Sequence, residues 1–285
     1  MKVARTIKSV RQLVIAARGN GEKIGLVPTM GALHEGHRSL IMRSVKAGNF
    51  TVVSVFVNPT QFGPREDFNK YPRPIRDDLK ICRDTGVNVV FVPTAKEIYS
   101  GGTVTWVEVE KMSKPMCGQF RPGHFRGVAT VCAKLFNIVQ PDVAYFGQKD
   151  AQQAAIIKRM VADLNFPLKI VVCPTVRAAD GLALSSRNRY LSTQQRRDAT
   201  CIYRSLAAAR EMIKAGVKAP KTIAGRMRKI LEKAGSLTGV DYISVVNPDT
   251  LEEMKHVEGK VLIAVAARIG STRLIDNLIV DADRR

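Results

Sequence analysis

The stretch that most restricts the fold is Thr51-Val52-Val53-Ser54-Val55-Phe56-Val57. It is β-branched and aromatic almost throughout, without polar alternation, the pattern of a strand covered on both faces. Strands of this kind belong to parallel sheets with helices on either side. The neighbouring sequence repeats the theme. Residues 24–27 form a shorter apolar run ended by Pro28, and helical patterning over about 37–47 separates it from the first. A loop rich in Pro and Gly follows (58–64 and 71–74), then a helix over 75–85 and a strand over 87–92. Residues 103–109 read as extended, 127–139 as a helix, 143–146 as a strand, 151–164 as a helix and 168–173 as a strand. Ahead of all these, Ser9 is read as the N-cap of a helix to Ala17, closed by Gly19-Asn20-Gly21. The alternation predicts an α/β chain with a doubly wound parallel sheet over 1–175. Ligands of such sheets sit beyond the carboxyl ends of the strands, where the strand order switches.

After Pro174 the pattern changes. Two basic helices are predicted over 193–215 and 220–234, followed by short strands at 241–246, 260–267 and 272–275. This is an α+β unit, assigned to residues 176–285 as a smaller second domain.

Four stretches carry chemistry. The first is Leu26-Val27-Pro28-Thr29-Met30-Gly31-Ala32-Leu33-His34-Glu35-Gly36-His37, which passes from strand to helix. Imidazoles three residues apart at a helix start share a face with unpaired backbone amides and the positive end of the dipole, an arrangement suited to phosphate. A zinc-protease H-E-x-x-H is one residue longer than His-Glu-Gly-His, and no second ligand cluster accompanies these histidines, so a bound metal is the weaker reading. The second stretch holds Gln61, just past the most buried strand, where a neutral amide suits a hydroxyl-bearing acid; completion of a turn explains it equally well. The third is Phe146-Gly147-Gln148-Lys149-Asp150-Ala151-Gln152-Gln153. Gly147 permits close backbone approach, Lys149 offers a point charge, Asp150 can accept from a ribose hydroxyl, and Gln153 lies one turn further in. Helix capping accounts for Asp150 but not for its neighbours. The fourth is Gly181-Leu182-Ala183-Leu184-Ser185-Ser186-Arg187, whose hydroxyls and guanidinium suit a polyphosphate, although Ser-rich connectors are common.

Taken together these stretches resemble the pantoate–β-alanine ligase family, over nearly the whole chain. The resemblance includes Arg121-Pro122-Gly123-His124-Phe125-Arg126-Gly127-Val128 and Arg273-Leu274-Ile275-Asp276-Asn277. It implies a Rossmann-like sheet domain, a C-terminal lid domain, and an ATP-dependent joining of pantoate to β-alanine through pantoyl adenylate, with release of AMP and pyrophosphate. It implies that Met30, Gly31, Ala32, Leu33, His34, Glu35, Gly36 and His37 line the ATP site, with His37 the proton donor. Gly147, Gln148, Lys149 and Asp150 would hold ribose and phosphate. Val176 would contact adenine through its backbone, and Leu184, Ser185, Ser186 and Arg187 would form a mobile phosphate loop. Gln61 and Gln153 would bind pantoate. Catalytic roles fall to His34, His37, Lys149, Ser185 and Arg187. Magnesium is expected on the phosphates rather than in a protein metal site, and a homodimer through the first domain is the family habit. Asp77-Asp78 is a candidate for a magnesium-linked role, though an acidic first helical turn is a sufficient reason for it.

Composition weighs against other classes. Five widely spaced cysteines without a C-x-x-C fit a reducing compartment. The first residues lack a signal-peptide core, and the longest apolar run near the end, 261–267, is too short to span a bilayer, so a cytoplasmic protein without membrane contact is expected. The formal net charge of +20 raises a nucleic-acid reading, because residues 196–235 hold eleven Lys or Arg against Asp198, Glu211 and Glu232. No aromatic platforms interleave with them, so a solvated helix face is preferred. Nucleotidyl transfer to a phosphate-bearing acceptor is the other alternative, and Gln61 with Gln153 argues against it.

Overall fold

The computed structural model describes residues 1–64 and 66–283. The chain divides into two compact units: 1–113 with 121–147 and 156–174, and 114–120 with 148–155 and 175–285.

The first unit is built on a six-stranded parallel sheet: β1 (Lys2–Ala4), β2 (Ile24–Thr29), β3 (Phe50–Val55), β4 (Val89–Phe91), β5 (Val143–Gly147) and β6 (Lys169–Cys173), in the order β1-β4-β3-β2-β5-β6. Side chains alternate across it. Leu26, Val52, Phe91 and Phe146 face one core with helices α1 (Ile7–Gly19) and α6 (His124–Val139). Val27, Val53, Val90 and Tyr145 face another with α2 (Glu35–Lys46) and α3 (Ile75–Asp84). This is the doubly wound sheet read from the sequence. α7 (Ala151–Asp163) follows β5, and the division between units runs through it. Short helices α4 (Ala95–Ile98) and α5 (Cys117–Phe120) lie in the connections.

Several local expectations shift. Thr6, not Ser9, caps α1; Ser9 is the reciprocal member of the capping box, returning a bond to the Thr6 amide at 3.2 Å. Residues 103–109 form no strand, and a three-residue strand, β1, stands at the sheet edge. β2 does not stop before Pro28. It continues to Thr29 against β3, whereas its pairing with β5 covers only Gly25 and Leu26. Proline has no N–H to give a second neighbour, so β2 and β5 part beyond Leu26. That is the switch point of the sheet, since β2 leads to the α2–α3 side and β5 to the opposite one.

In the second unit β7 (Leu237–Val246), β8 (Lys260–Ile269) and β9 (Thr272–Asp281) form an antiparallel sheet with β8 in the centre. Each strand runs ten residues, longer than the sequence suggested. The first basic helix is in fact two, α8 (Thr193–Asp198) and α9 (Thr200–Lys214), broken at Ala199; α10 (Pro220–Leu231) follows. Leu206, Ile213, Ile223 and Met227 from the helices share a core with Ile263 and Val265 of β8. The cationic side chains of α9 and α10, Arg204, Lys214, Arg226 and Arg228 among them, point to solvent.

All five cysteines are free thiols and buried. Burial pushes Cys82 and Cys132 up to about 12 and Cys201 up to about 11. Among the described residues no helix is long and apolar enough to cross a membrane.

Candidate active site

The loop between β2 and α2 carries the residues first singled out. Gly31 and Ala32 both adopt the left-handed region, at φ 78° and 51°. For alanine this conformation costs free energy unless the surroundings impose it. The buried carboxylate of Asp78 imposes it, accepting from Ala32 N at 3.0 Å and Leu33 N at 2.7 Å. Asp78 is 1% exposed. It lies in the first turn of α3, forty-five residues from Leu33. An acidic first turn therefore understated its role: Asp78 shapes the loop, whereas Asp77 beside it is exposed.

The two histidines form the start of α2 themselves. His34 is the N-cap, and its Nδ1 accepts from Gly36 N at 3.1 Å. His37 reaches back to accept from His34 N, on Nδ1, at 3.4 Å. It is a capping box made of imidazoles. Because the Nδ1 of His34 accepts from a backbone amide, that nitrogen carries no proton. The rings lie 4.1 Å apart at an angle of 39°. Two imidazoles therefore sit beside the amide-rich end of a twelve-residue helix, where the dipole and backbone amides suit an anion.

Gln61 ends a short turn, Pro59–Gln61, and is buried. Its backbone carbonyl accepts from His124 Nδ1 at 2.8 Å and from Arg121 Nη2 at 3.3 Å. His124 Nε2 lies 3.0 Å from Arg121 Nη1. A guanidinium cannot accept, so Nε2 is the acceptor and Nδ1 holds the proton. Arg121 is tied in turn to Glu66, at 2.8 Å through Nε. At Gly127, on α6, a Cβ would stand 2.4 Å from the carbonyl oxygen of Thr60. Only glycine lets the helix approach the Gln61 turn this closely.

In the second unit, residues 176–184 fold back as a hairpin. Leu184 N donates to Val176 O at 3.0 Å and Ala178 N to Leu182 O at 2.9 Å. Val176 and the Leu184-Ser185-Ser186-Arg187 loop are thereby brought together. Ser185 caps the next turn, accepting from Arg187 N at 3.3 Å. Lys149 and Asp150 lie in the turn Gln148–Asp150, with Lys149 Nζ 3.8 Å from Asp150 Oδ1. Gln153 follows in α7, half-buried, while its neighbour Gln152 is buried and bonds Cys117 N and Pro115 O at 3.0 and 2.8 Å. Gly147 ends β5 in the first unit.

A network not assigned any role from sequence joins hairpin and turn. Arg177 makes a bidentate pair with Asp276, 2.9 Å through Nη2. Asn277 donates from Nδ2 to the carbonyls of Gln148 and Lys149 at 2.8 and 2.9 Å. Burial pushes the Asp276 carboxyl up, and the Arg177 guanidinium opposes that shift. The available signal was the Asp276-Asn277 pair interrupting the apolar pattern of β9, both residues being buried.

The sequence pattern of the pantoate-beta-alanine ligase family matches residues 2–279. The chain belongs to that family. It is 50% identical to the pantothenate synthetase of Moorella thermoacetica over 283 residues, 99% of this chain and 100% of the relative. With the pantothenate synthetase of Acetivibrio thermocellus the identity is 51% over 284 residues, again 99% and 100% of the two chains. The crystal structure of pantothenate synthetase from Thermus thermophilus is 43% identical and superposes with a TM-score of 0.92, covering 98% of this chain and 99% of that one. The pantoate-beta-alanine ligase of Francisella tularensis, solved with β-γ ATP and β-alanine, is 34% identical with a TM-score of 0.81, covering 98% and 97%.

Magnesium, expected with the triphosphate in such a family, is tested by the donor set. Among the described residues no group of three or more His, Cys, Asp or Glu could hold a metal, and the carboxylate of Asp78 is engaged by two backbone amides.

Proposed function

We propose that this chain condenses (R)-pantoate with β-alanine at the expense of ATP, by way of pantoyl adenylate. A carboxylate oxygen of pantoate attacks the α-phosphorus, and the bond to the bridging oxygen breaks, releasing pyrophosphate. The amine of β-alanine then attacks the acyl carbon, loses a proton, and AMP leaves with the electrons of the acyl–oxygen bond. The observation that carries this reading is the imidazole capping box at the start of α2, in a chain that matches the family from residue 2 to 279.

The first step joins two anions, so the demand on the protein there is charge neutralisation and in-line placement, without a nucleophilic side chain. In this scheme His34 and His37 donate from Nε2 to phosphate oxygens, with His37 nearest the chemistry and His34 holding phosphate. Lys149 and Arg187 offset charge on the departing pyrophosphate, Gly147 to Asp150 hold ribose and phosphate, and Val176 meets adenine through its backbone. Ser185 and its loop cover the labile adenylate, residues 176–285 serving as a lid. Gln61 and Gln153 hold pantoate, with Gln61 also near β-alanine. Magnesium enters with ATP and shields its phosphates. The scheme includes a homodimer through residues 1–175 and a cytoplasmic setting.

The deciding assay incubates the protein with ATP, magnesium and pantoate, with and without β-alanine, and follows pyrophosphate and AMP. AMP release that requires both pantoate and β-alanine is the expected result; release independent of either would overturn the reading.

A further inference from the structure

The side-chain amide of Gln61 is held with one end outward, and the reason is three residues upstream. Asn58 is 1% exposed. Its two ends are told apart by partners that have no choice of role, since a backbone N–H must donate and a backbone carbonyl must accept. Thr60 N lies 3.4 Å from Asn58 Oδ1, and Asn58 Nδ2 lies 3.2 Å from Gly127 O. The same Nδ2 donates to Gln61 Oε1 at 2.9 Å. Gln61 therefore spends its oxygen on Asn58 and turns its NH2 the other way. There Nε2 rests 3.3 Å from Met30 Sδ, a weak acceptor that a ligand oxygen would displace at little cost. Any ligand at this amide must offer an acceptor, such as a carboxylate or hydroxyl oxygen. An ammonium, with only donors, gains nothing there.

The Thr60 amide at 3.4 Å is too distant to hold Asn58 by itself. The short bond comes from Tyr99, whose hydroxyl donates to Asn58 Oδ1 at 2.7 Å. Thr60 Oγ1 adds a contact at 3.0 Å to the same oxygen and stands 3.1 Å from the Tyr99 hydroxyl. The ring of Tyr99 is held by other groups: the Phe56 ring at 6.3 Å and Lys134 Nζ at 5.3 Å over its face. Burial pushes the phenol up, so it stays a donor over the working pH range.

We propose that Tyr99 is a positioning residue: its hydroxyl fixes the amide of Asn58, and Asn58 presents the NH2 of Gln61 to the acid substrate. The proposal rests on the reading of Gln61 as a pantoate ligand. All of these residues lie in the first unit.

Tyr99→Phe removes the hydroxyl and keeps both ring contacts, so it tests the bond and not the packing. The measurement is steady-state kinetics of Tyr99→Phe, Gln61→Ala and the double variant, with KM taken separately for pantoate and ATP. Tyr99→Phe is expected to raise the pantoate KM about tenfold, the loss of one buried hydrogen bond, and to leave the ATP KM within about twofold. In the Gln61→Ala background it should add nothing, because the amide it orients is gone. A general packing defect would instead persist in that background. An unchanged pantoate KM in Tyr99→Phe beside a raised one in Gln61→Ala overturns the relay, as do additive effects in the double variant. An unchanged pantoate KM in Gln61→Ala overturns the assignment of Gln61, and the relay falls with it. Should Tyr99→Phe fail to fold, Thr60→Val removes the other hydroxyl from Asn58 Oδ1 and carries the same comparison.

Discussion

Replacing His37 with alanine is expected to lower turnover roughly 100-fold or more, the size of loss seen when one donor to a developing charge is removed. The ring reaches back to the His34 amide through Nδ1, and in the proposed scheme it also donates to a phosphate oxygen. Alanine deletes both functions, so a companion variant is needed. Glutamine at this position of the first turn can still accept from the N-cap amide, as in an ordinary capping box. His37→Gln should therefore keep the thermal midpoint of the parent while losing most of its pyrophosphate release. Near-parental turnover in both variants would remove His37 from the chemistry.

The second large effect is expected at Asp78. Asp78→Ala leaves the Ala32 and Leu33 amides without their carboxylate partner and frees a loop that the carboxylate holds in the left-handed region. Hydrogen bonds to a charged group contribute about 1.5–3 kcal/mol each, so a loss of about 3 kcal/mol or more in urea unfolding is expected. Because the loop carries Met30 to His37, the ATP KM should rise as well. Asp78→Asn keeps the shape but replaces one acceptor with a donor facing an amide N–H, and should recover only part of the loss. A parental urea midpoint in Asp78→Ala would show that the loop holds itself.

The doubly wound sheet was legible because its signal is local: a largely β-branched run at 51–57, without polar alternation, demands cover on both faces, whatever supplies it. The candidate loops of His34, Gln61 and Lys149 were legible as positions, since each lies past a strand end. What no local pattern discloses is the set of groups that arrive from far along the chain. Asp78, Tyr99 and Asn277 lie 45, 41 and 129 residues from partners they hold. In each case the residue had an ordinary local explanation, such as Asp78 in a first helical turn. The allocation of 114–120 to the second unit is of the same type. Within that unit Gln152 bonds the Pro115 and Cys117 backbones, yet it reads in sequence as one more polar residue on a helix. The misplaced cap of α1 is a different error. Thr6 and Ser9 bond each other reciprocally, and the rule that a hydroxyl precedes the helix selects the wrong member of the pair.

The buried thiols give the molecule an internal stopwatch. Burial pushes Cys82 and Cys132 up to about 12, so both stay thiols near neutral pH, and the thiolate is the reactive form. A modifying reagent must wait for the surrounding structure to open, and its rate then counts openings rather than collisions. Cys82 and Cys132 lie in the first unit and Cys201 in the second. One unaltered chain therefore keeps separate time for the sheet that carries the histidines and for the unit that carries the Ser185 loop, with no label or engineered residue added.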